Sequence, residues 1–387
     1  MRATLSIFAN LLQPLHWQTF KSIVARHDGD AYDKSFGSRA HLVAMIYAQL
    51  SGANSLRAVA TGFNAHAHLH RQLGAAPVHR STLADANSRR PVAVFADVFA
   101  ALACGLGRKL RAQGRAIIRI LDATPIPLGQ LFTCASWNGH IKGFKLHLAF
   151  DPVCDRPKVL AITQATVNDI TPARSMPLER GVLHVFDKGY CSFDWWTKIA
   201  QNGAFFITRP KANMGWKSLE TRPVKRPIGD GFGVLADVEV KLASKGDSKL
   251  PMRLRLITIK PDTAKAFTVL TNDMRRSATA IAALYKQRWQ IELLFRWLKQ
   301  HLKLSTFLGR SENAIHLQII TAMIAYVLIN LAARSHRTTL LALRFAELIA
   351  LCLFEQRSIA AIARPLSKKR YRPTKNKPCF ASGETHA

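Results

Sequence analysis

Residues 116–122 read Ala-Ile-Ile-Arg-Ile-Leu-Asp and are followed by an Ala-Thr-Pro segment. A short run of branched apolar residues that ends at an acidic residue and a proline is typical of a buried β-strand and its exit loop. The segment 182–187, Val-Leu-His-Val-Phe-Asp, repeats this pattern. The sequence therefore predicts two buried strands, with Asp122 and Asp187 at their carboxyl ends, where open α/β sheets place their ligands.

Three more stretches have the composition of strands, at 143–150, 159–167 and 204–208, and helical segments lie between the strands. Strands that alternate with helices indicate an α/β sheet domain. From about 210 to 273 the chain is again strand-like and rich in turns, without a helical pattern. We interpret this stretch as an inserted β-rich subdomain within a catalytic domain at 111–355.

The first 110 residues have helical periodicity. Apolar residues recur at three- and four-residue spacing over 39–50, and a Ser-Gly-Ala-Asn segment ends that pattern before a second helix through Phe63. A third helix start is expected at Ser81 and Thr82, where a hydroxyl can cap the helix. Such a helix-turn-helix arrangement can place basic and amide side chains on DNA, but a solvated helix bundle explains the same pattern equally well.

The C-terminal third is predicted to be helical. A long helix is expected from Ser277 to Leu302, helical packing continues to Phe354, and residues 356–387 form a basic tail that we expect to be disordered. The segment Ala314–Ala333 has the length of a membrane span. The segment contains three polar residues, His316, Gln318 and Asn330. They favour a buried core helix over a membrane-spanning helix.

The charge balance points to a polyanionic partner. The chain has 387 residues with 55 Lys and Arg against 24 Asp and Glu, a formal net charge of +31. Nucleic acid is the first candidate partner and an anionic membrane surface the second. The six cysteines are widely separated, with no Cys-x-x-Cys pair, which argues against a zinc module or a disulfide scaffold and suits a reducing cytoplasm.

A third acidic residue, Glu292, lies in a polar pattern on the predicted long helix. Tyr285, Arg288, Glu292 and Lys299 are spaced by three, four and seven residues, which brings them to nearly one helix face. The pattern is consistent with a surface ion pair, a buried salt-bridge network or a metal site with cations for phosphate. Three carboxylates without a Cys or His ligand motif would suit a hard cation such as Mg²⁺.

The ordered set of motifs resembles a known group of enzymes. Its parts are Asp122 in Leu-Asp-Ala-Thr, the block Asp187-Lys188-Gly189-Tyr190, and Tyr285-x2-Arg288-x3-Glu292-x6-Lys299. It is similar to the Asp-Asp-Glu (DDE) transposases of bacterial insertion sequences, in the insertion sequence four family of the RNase H-like superfamily. The N-terminal segments around His41, 55–57 and 81–87 also resemble the helical domain that precedes the catalytic domain in this group.

The resemblance implies a fold, a cofactor and a set of roles. An RNase H-like catalytic domain with a β-rich insertion would follow a helical DNA-binding domain and precede C-terminal helices. Asp122, Asp187 and Glu292 would be the catalytic residues and would hold two Mg²⁺ ions per active site, with Mn²⁺ as a possible substitute. Tyr285, Arg288 and Lys299 would contact DNA.

The resemblance also implies a partner and a reaction. The substrate would be double-stranded DNA at the transposon ends and the target, bound by a homodimer in the bacterial cytoplasm, associated with the nucleoid and not with a membrane. Two further hypotheses share the same residues: a nuclease or resolvase of this fold without strand transfer, and a non-catalytic DNA-binding protein. A basic membrane protein is a fourth and would use Ala314–Ala333 as its span.

Overall fold

The computed structural model describes residues 5–31, 35–104, 117–224, 232–242, 252–301 and 306–363. Before the first strand the described chain is helical. Its α-helices are α1 (Ile7–Leu11), α2 (Trp17–Arg26), α3 (Ser38–Ser51), α4 (Leu56–Asn64), α5 (His70–Leu73), α6 (Arg80–Arg89) and α7 (Val92–Cys104), with a 3₁₀ turn at Ala67–Leu69.

The strands then form one mixed sheet in the order β3-β2-β1-β4-β5-β9-β8-β7-β6. They are β1 (Ile118–Pro127), β2 (Gly143–Asp151), β3 (Arg156–Gln164), β4 (Leu183–Val185), β5 (Phe205–Thr208), β6 (Trp216–Thr221), β7 (Phe232–Leu242), β8 (Leu254–Pro261) and β9 (Phe267–Thr271). The strands β1, β4 and β5 run parallel, β2 pairs antiparallel with β1, and β3 pairs antiparallel with β2.

Helices cover both faces of the sheet. Between and after the strands they are α8 (Ile170–Arg174), α9 (Phe193–Gln201), α10 (Ala278–Lys286), α11 (Trp289–His301), α12 (Glu312–Ser335), α13 (Ala342–Leu351) and α14 (Ile359–Ala363), with a 3₁₀ turn at Lys188–Tyr190. Successive residues of a strand point to opposite faces. Accordingly, Ile120 lies in the larger hydrophobic core, with α11, α12 and the N-terminal helices, and Leu121 lies in the smaller core, with α8 and α9.

The prediction that Asp122 ends its strand is wrong. The strand β1 continues through Asp122 to Pro127, because its antiparallel pairing with β2 persists after its pairing with β4 stops at Ile120. Beyond Ile120, no described strand pairs with β1 on its β4 side. Pro125 and Pro127, which have no N–H group, therefore remove no ladder hydrogen bond on that side.

The strands of the predicted insertion do not form a sheet of their own. Through β9, which pairs antiparallel with β5, they extend the main sheet. The junction is tied by Asn272, whose side chain accepts from the Phe206 N–H at 2.8 Å and donates to the Ala204 carbonyl at 3.0 Å. A buried ion pair between Arg255 and Asp237 at 2.5 Å holds the neighbouring strands, since β7 and β8 carry its two partners. The insertion is thereby joined firmly to the strand that follows Asp187.

The apolar segment 314–333 lies within the longest helix, α12, which is a core helix of this fold. It is the one described helix long and apolar enough to cross a membrane, but 83% of its most apolar window is buried inside the protein. It packs against α1, α3, α6, α7, α11, α13 and β3. Of the internal polar residues that favoured a core helix, Gln318 is accommodated there, since it donates to the Thr306 carbonyl and accepts from the Leu308 N–H, each at 2.9 Å.

The predicted single helix from 277 to 302 is instead two helices. Ser277 caps the first by accepting from the Ala280 N–H, as a hydroxyl cap should. The chain then turns at Gln287 and Arg288, where N–H groups bond carbonyls three residues back rather than four, and α11 begins at Trp289. The tightened turn separates Tyr285 from the helix that carries Glu292, so the four polar residues do not share one continuous helix.

Two element boundaries also differ from the sequence prediction. The helix α6 begins at Arg80, one residue before the predicted Ser81, and its N-cap His79 makes no side-chain capping bond. The start of the expected disordered tail is helical, because Ile359 and Ile362 of α14 are buried against the core. The remaining tail, 364–387, lies outside the described residues.

Replacing Asn313 by Ala should destabilise the protein by about 1–3 kcal/mol. Asn313, near the start of α12, donates to the carbonyls of Asn87 and Arg90, each at 2.9 Å, and so joins α12 to the end of α6. Truncation leaves these carbonyls without that donor. Urea unfolding measures the change; Asn202→Ala, which removes an exposed bond within one helix end, is the control and should cost much less.

The buried histidines should make the protein sensitive to acid. Burial lowers the pKa of His184 and of His41 to about 3 and that of His147 to about 4, so the folded state keeps these rings neutral. Below pH 6.5 the unfolded chain binds protons that the folded chain does not, so stability falls from that pH down to the folded pKa.

Between pH 7 and pH 5, the wild-type protein should lose roughly 2 kcal/mol of its free energy of unfolding because of His184 alone. The variant His184→Met should not show this part of the loss. His184 is fully buried in β4, and neither ring nitrogen has a hydrogen-bond partner among the described residues. Urea midpoints at the two pH values measure the effect. An unchanged pH dependence in the variant, matching that of the exposed control His68→Gln, would contradict the assignment.

Candidate active site

The register of the sheet brings Asp122 and Asp187 together. Ile120 of β1 pairs with Val185 of β4, and each aspartate lies two residues further along its own chain. Asp187 keeps an extended backbone (φ −85°, ψ −178°), so its side chain stays on the face of Val185. Since neighbouring strands are ~4.8 Å apart, the two carboxylates project side by side from the same face of the sheet.

The helix α11 carries Glu292 to the same place. Its apolar side chains pack into the larger core, on the same face of the sheet as Asp122. These side chains are Ile291, Leu294, Phe295 and Leu298. This packing sets α11 across β1. Glu292, one residue after the buried Ile291, is then aimed at the cleft beside Asp122 and Asp187. The three acids predicted from the sequence thus line one cleft.

Arg288 lies between the acids. From the turn that precedes α11, its Nη2 atom is 2.5 Å from Oε1 of Glu292 and its Nη1 atom is 3.7 Å from Oδ2 of Asp122. Tyr285 is only 7% exposed, and its hydroxyl interacts with the same guanidinium. In this structure Tyr285 therefore contacts Arg288 directly, whereas its predicted contact with DNA remains a prediction.

The acids repel one another despite the arginine. Burial is the main cause that raises the pKa of Asp122 to about 7, and the charges of Asp187 and Glu292 raise it further. The Ala123 N–H, which donates to Oδ1 at 2.8 Å, and the charge of Arg288 lower it in part. A carboxyl group with such a displaced pKa beside two other acids is typical of a functional site.

The cleft is open, has a volume of about 510 Å³, and has cations along one side. Lys299 lines it, and burial lowers the pKa of its amine. Its predicted contact with DNA remains a prediction. Arg296 and Thr124 also line the cleft and were missed. The spacing of Arg296, four residues after Glu292 on one helix face, was a signal that could have identified it. Thr124, two residues after Asp122 on the same strand face, could have been found from the period of the strand.

Comparison with known proteins identifies the family. Residues 113–328, more than half of the chain, match the family model described as Transposase DDE domain. The chain belongs to the DDE transposases. It is therefore an enzyme that acts on DNA, and the cleft with Asp122, Asp187 and Glu292 lies within the matched region. Residues 3–76 of the transposase also match a family described as a domain of unknown function, DUF4372.

Similar proteins carry transposase names. A protein of Sinorhizobium fredii named transposase y4zB is 56% identical over 283 residues, covering 73% of this chain and 80% of its own. A protein of Geobacillus stearothermophilus, named for insertion sequence element IS5377, is 27% identical, covering 65% of this chain and 66% of its own. A protein of Synechocystis, named for insertion sequence element IS4SA, is 28% identical, covering 65% of this chain and 71% of its own.

A solved structure, the piggyBac transposase synaptic complex with hairpin DNA, is similar to this transposase with a TM-score of 0.40 and 10% identity. The match covers 94% of this chain and 82% of the other.

The donor set fits the divalent metal ions that DDE domains generally use. Carboxylate oxygens are the ligands that hard cations prefer, and the mutual repulsion at Asp122 is what a bound cation would relieve. Among the described residues, however, no three acidic, His or Cys side chains are close enough to hold one ion. Glu292 is turned to Arg288 instead, so the three candidate ligands do not converge on one point in this structure.

Asp122→Asn should stabilise the free transposase at pH 8, by an amount on the order of 4 kcal/mol, while leaving its stability at pH 4 nearly unchanged. The folded pKa of Asp122 is raised to about 7, so the folded state binds the extra proton between about pH 4 and pH 7. Stability is therefore lost as the pH rises through that window, and asparagine cannot ionise. Urea unfolding at both pH values checks the sign; a variant less stable than wild type at pH 8 would contradict it.

Proposed function

We propose that this protein is a cut-and-paste transposase of the insertion sequence four family, built on an RNase H-like catalytic domain. It would cut DNA at the terminal inverted repeats of its own element and join the freed 3′ ends to target DNA. The convergence of Asp122, Asp187 and Glu292 on one open cleft is the observation that carries this proposal.

The proposed cofactor is Mg²⁺, two ions per active site, with Mn²⁺ as a substitute. Asp122 and Asp187 would hold the ions together with Glu292. When bound, such ions lower the pKa of an attacking water and stabilise the leaving oxygen of an in-line displacement at phosphorus. The chain's own contribution is to place these acids on a rigid sheet and helix, so that the attacked phosphate can be held in one orientation.

The cations of the cleft would hold the DNA backbone. Arg288 and Lys299 can bind phosphate oxygens, Arg296 adds a third cation, and Tyr285 would act both by orienting Arg288 and by contact with DNA. The net charge of +31 supplies the attraction that brings a polyanion to an acidic centre. Affinity for DNA should accordingly fall with increasing salt.

The remaining parts of the proposal concern organisation. Residues 1–110 would form a DNA-binding domain, 111–355 the catalytic domain with its insertion at about 210–273, and 356–387 the tail. Two copies would pair the transposon ends as a homodimer. The protein would work in the bacterial cytoplasm, associated with the nucleoid, as follows from its substrate.

The alternative functions share the cleft and differ in the product. A nuclease or resolvase would leave cleaved DNA without joining it to a target, and a non-catalytic DNA-binding protein would not need the acids at all. Because the same three carboxylates serve hydrolysis and strand transfer, the products of the reaction, rather than the geometry, distinguish these functions.

Replacing a single acid by its amide should abolish both cleavage and joining. We expect Asp122→Asn, Asp187→Asn and Glu292→Gln each to reduce product by roughly a thousandfold or more, equivalent to about 4 kcal/mol of transition-state stabilisation. The measurement uses DNA that carries the genomic flanks of the gene, a target plasmid, and Mg²⁺. Joined and merely cleaved products are separated on a gel.

The matched control is Asp194→Asn, an exposed carboxylate in the first turn of α9, which should leave joining unchanged. Cleaved DNA without joined product would support the nuclease. Full activity of all three amide variants would contradict a catalytic role for these acids.

A further inference from the structure

The guanidinium of Arg288 occupies a position between metal-ligand candidates. It contacts Glu292 at 2.5 Å and lies 3.7 Å from Asp122, while no three acidic side chains of the described residues are close enough to share one ion. An arginine side chain keeps its charge at every pH of interest. The free protein thus already contains a cation that pairs with Glu292 and lies beside Asp122.

The contact is partly shielded from water, which makes it stronger than a surface ion pair. The side chains of Arg288 and Glu292 are 21% and 30% exposed, and that of Asp122 is 20% exposed. Charges that are partly removed from water attract one another more strongly than exposed ones. A metal ion that binds Glu292 must therefore displace Arg288 from it. Breaking this ion pair requires more free energy than breaking a typical exposed ion pair.

The break between α10 and α11 lets Arg288 move without moving the acids. Arg288 belongs to the two-residue turn, whereas Glu292 lies inside α11, whose apolar side is fixed in the larger core. The side chain of Arg288 can swing into the open cleft while the helix stays in place. In an unbroken helix the two residues, four apart, would remain stacked on one face.

We propose that Arg288 is a positioning residue that acts as an internal counter-ion: it holds Glu292 away from metal in the free protein and releases it when a DNA phosphate takes the guanidinium. The inference rests on the proposed function, because it takes the three acids as metal ligands. This exchange couples the binding of DNA to the binding of metal. A phosphate that binds Arg288 frees the carboxylate of Glu292 and so raises the affinity of the site for metal. Metal would then bind tightly only on DNA, which limits hydrolysis without an end in the cleft.

Mn²⁺ binding to the free full-length protein tests the counter-ion. Titration is followed by the loss of the free Mn²⁺ electron paramagnetic resonance signal. We expect Arg288→Gln to bind Mn²⁺ at least tenfold more tightly than wild type. Arg288→Lys replaces the planar guanidinium by a single ammonium group, and its affinity for Mn²⁺ should lie between those of wild type and Arg288→Gln.

Arg296→Gln is the matched control, because Arg296 places the same charge in the same cleft, but its guanidinium lies over the Trp289 ring at 6.0 Å, whereas the ion pair of Glu292 among the described residues is with Arg288. It should tighten Mn²⁺ binding by no more than two- to threefold. Equal effects of Arg288→Gln and Arg296→Gln, or no effect of Arg288→Gln in a variant that unfolds like wild type, would overturn the proposal.

Release by DNA is tested with Fe²⁺ and ascorbate, which cut a polypeptide next to a bound iron ion. Wild-type protein should be cut near residues 122, 187 and 292 at least fivefold more with a 30-base-pair duplex present than without it. Arg288→Gln should be cut at these places without DNA. Equal cutting of the wild type with and without DNA would refute the coupling.

The same reagents separate this inference from the proposed function. If Asp122→Asn abolishes Mn²⁺ binding while Arg288→Gln leaves it at the wild-type level, the metal site stands and the counter-ion role fails. If neither wild type nor Arg288→Gln binds Mn²⁺ and no iron cutting occurs near the acids, the metal site itself fails.

Discussion

The register between β1 and β4 is the constraint on which the site depends. Because Ile120 pairs with Val185, the residues two positions further on, Asp122 and Asp187, are adjacent on one face. A shift of one residue would turn one of them to the opposite face, into the smaller apolar core. The buried branched residues of both strands resist such a shift, so the core that stabilises the sheet also sets the spacing of the acids.

The third acid depends on a different kind of contact. Glu292 reaches the cleft because α11 packs its apolar side onto the sheet, and the position of that helix is set by its neighbour α12 as well as by β1. The turn at Gln287 and Arg288 separates this helix from α10, so the arginine beside the acids belongs to neither helix. Two acids are thus fixed by backbone pairing, and the third by side-chain packing with an adjustable residue beside it.

Much of this could be predicted from the sequence, because alternation and apolar runs report directly on burial. The strands at 143–150 and 204–208, the start of a helix at about Ser277 and the core nature of 314–333 follow from such local signals, and each is confirmed. The family motifs supplied the three acids, and the structure brings these to one cleft.

The rest depended on contacts between distant segments. Nothing local to 116–125 indicates that β1 continues beyond Asp122, since that continuation is set by pairing with β2. The turn at Arg288 is not visible in a sequence of good helix formers; it accompanies an ion pair with Asp122, more than 160 positions away. The joining of β9 to β5 likewise requires knowledge of both strand edges.

The start of α1 is hydrogen-bonded to the segment between α13 and α14. The N–H groups of Ile7 and Phe8 donate to the carbonyls of Glu355 and Leu353 at 2.9 and 2.8 Å, and α12 fills the space between the N-terminal helices and the sheet. During synthesis on a ribosome, the first hundred residues emerge long before α12 and must wait with their apolar surfaces uncovered. The molecule can complete its larger core only after α12 has been synthesised, because that helix packs against the N-terminal helices and β3 together.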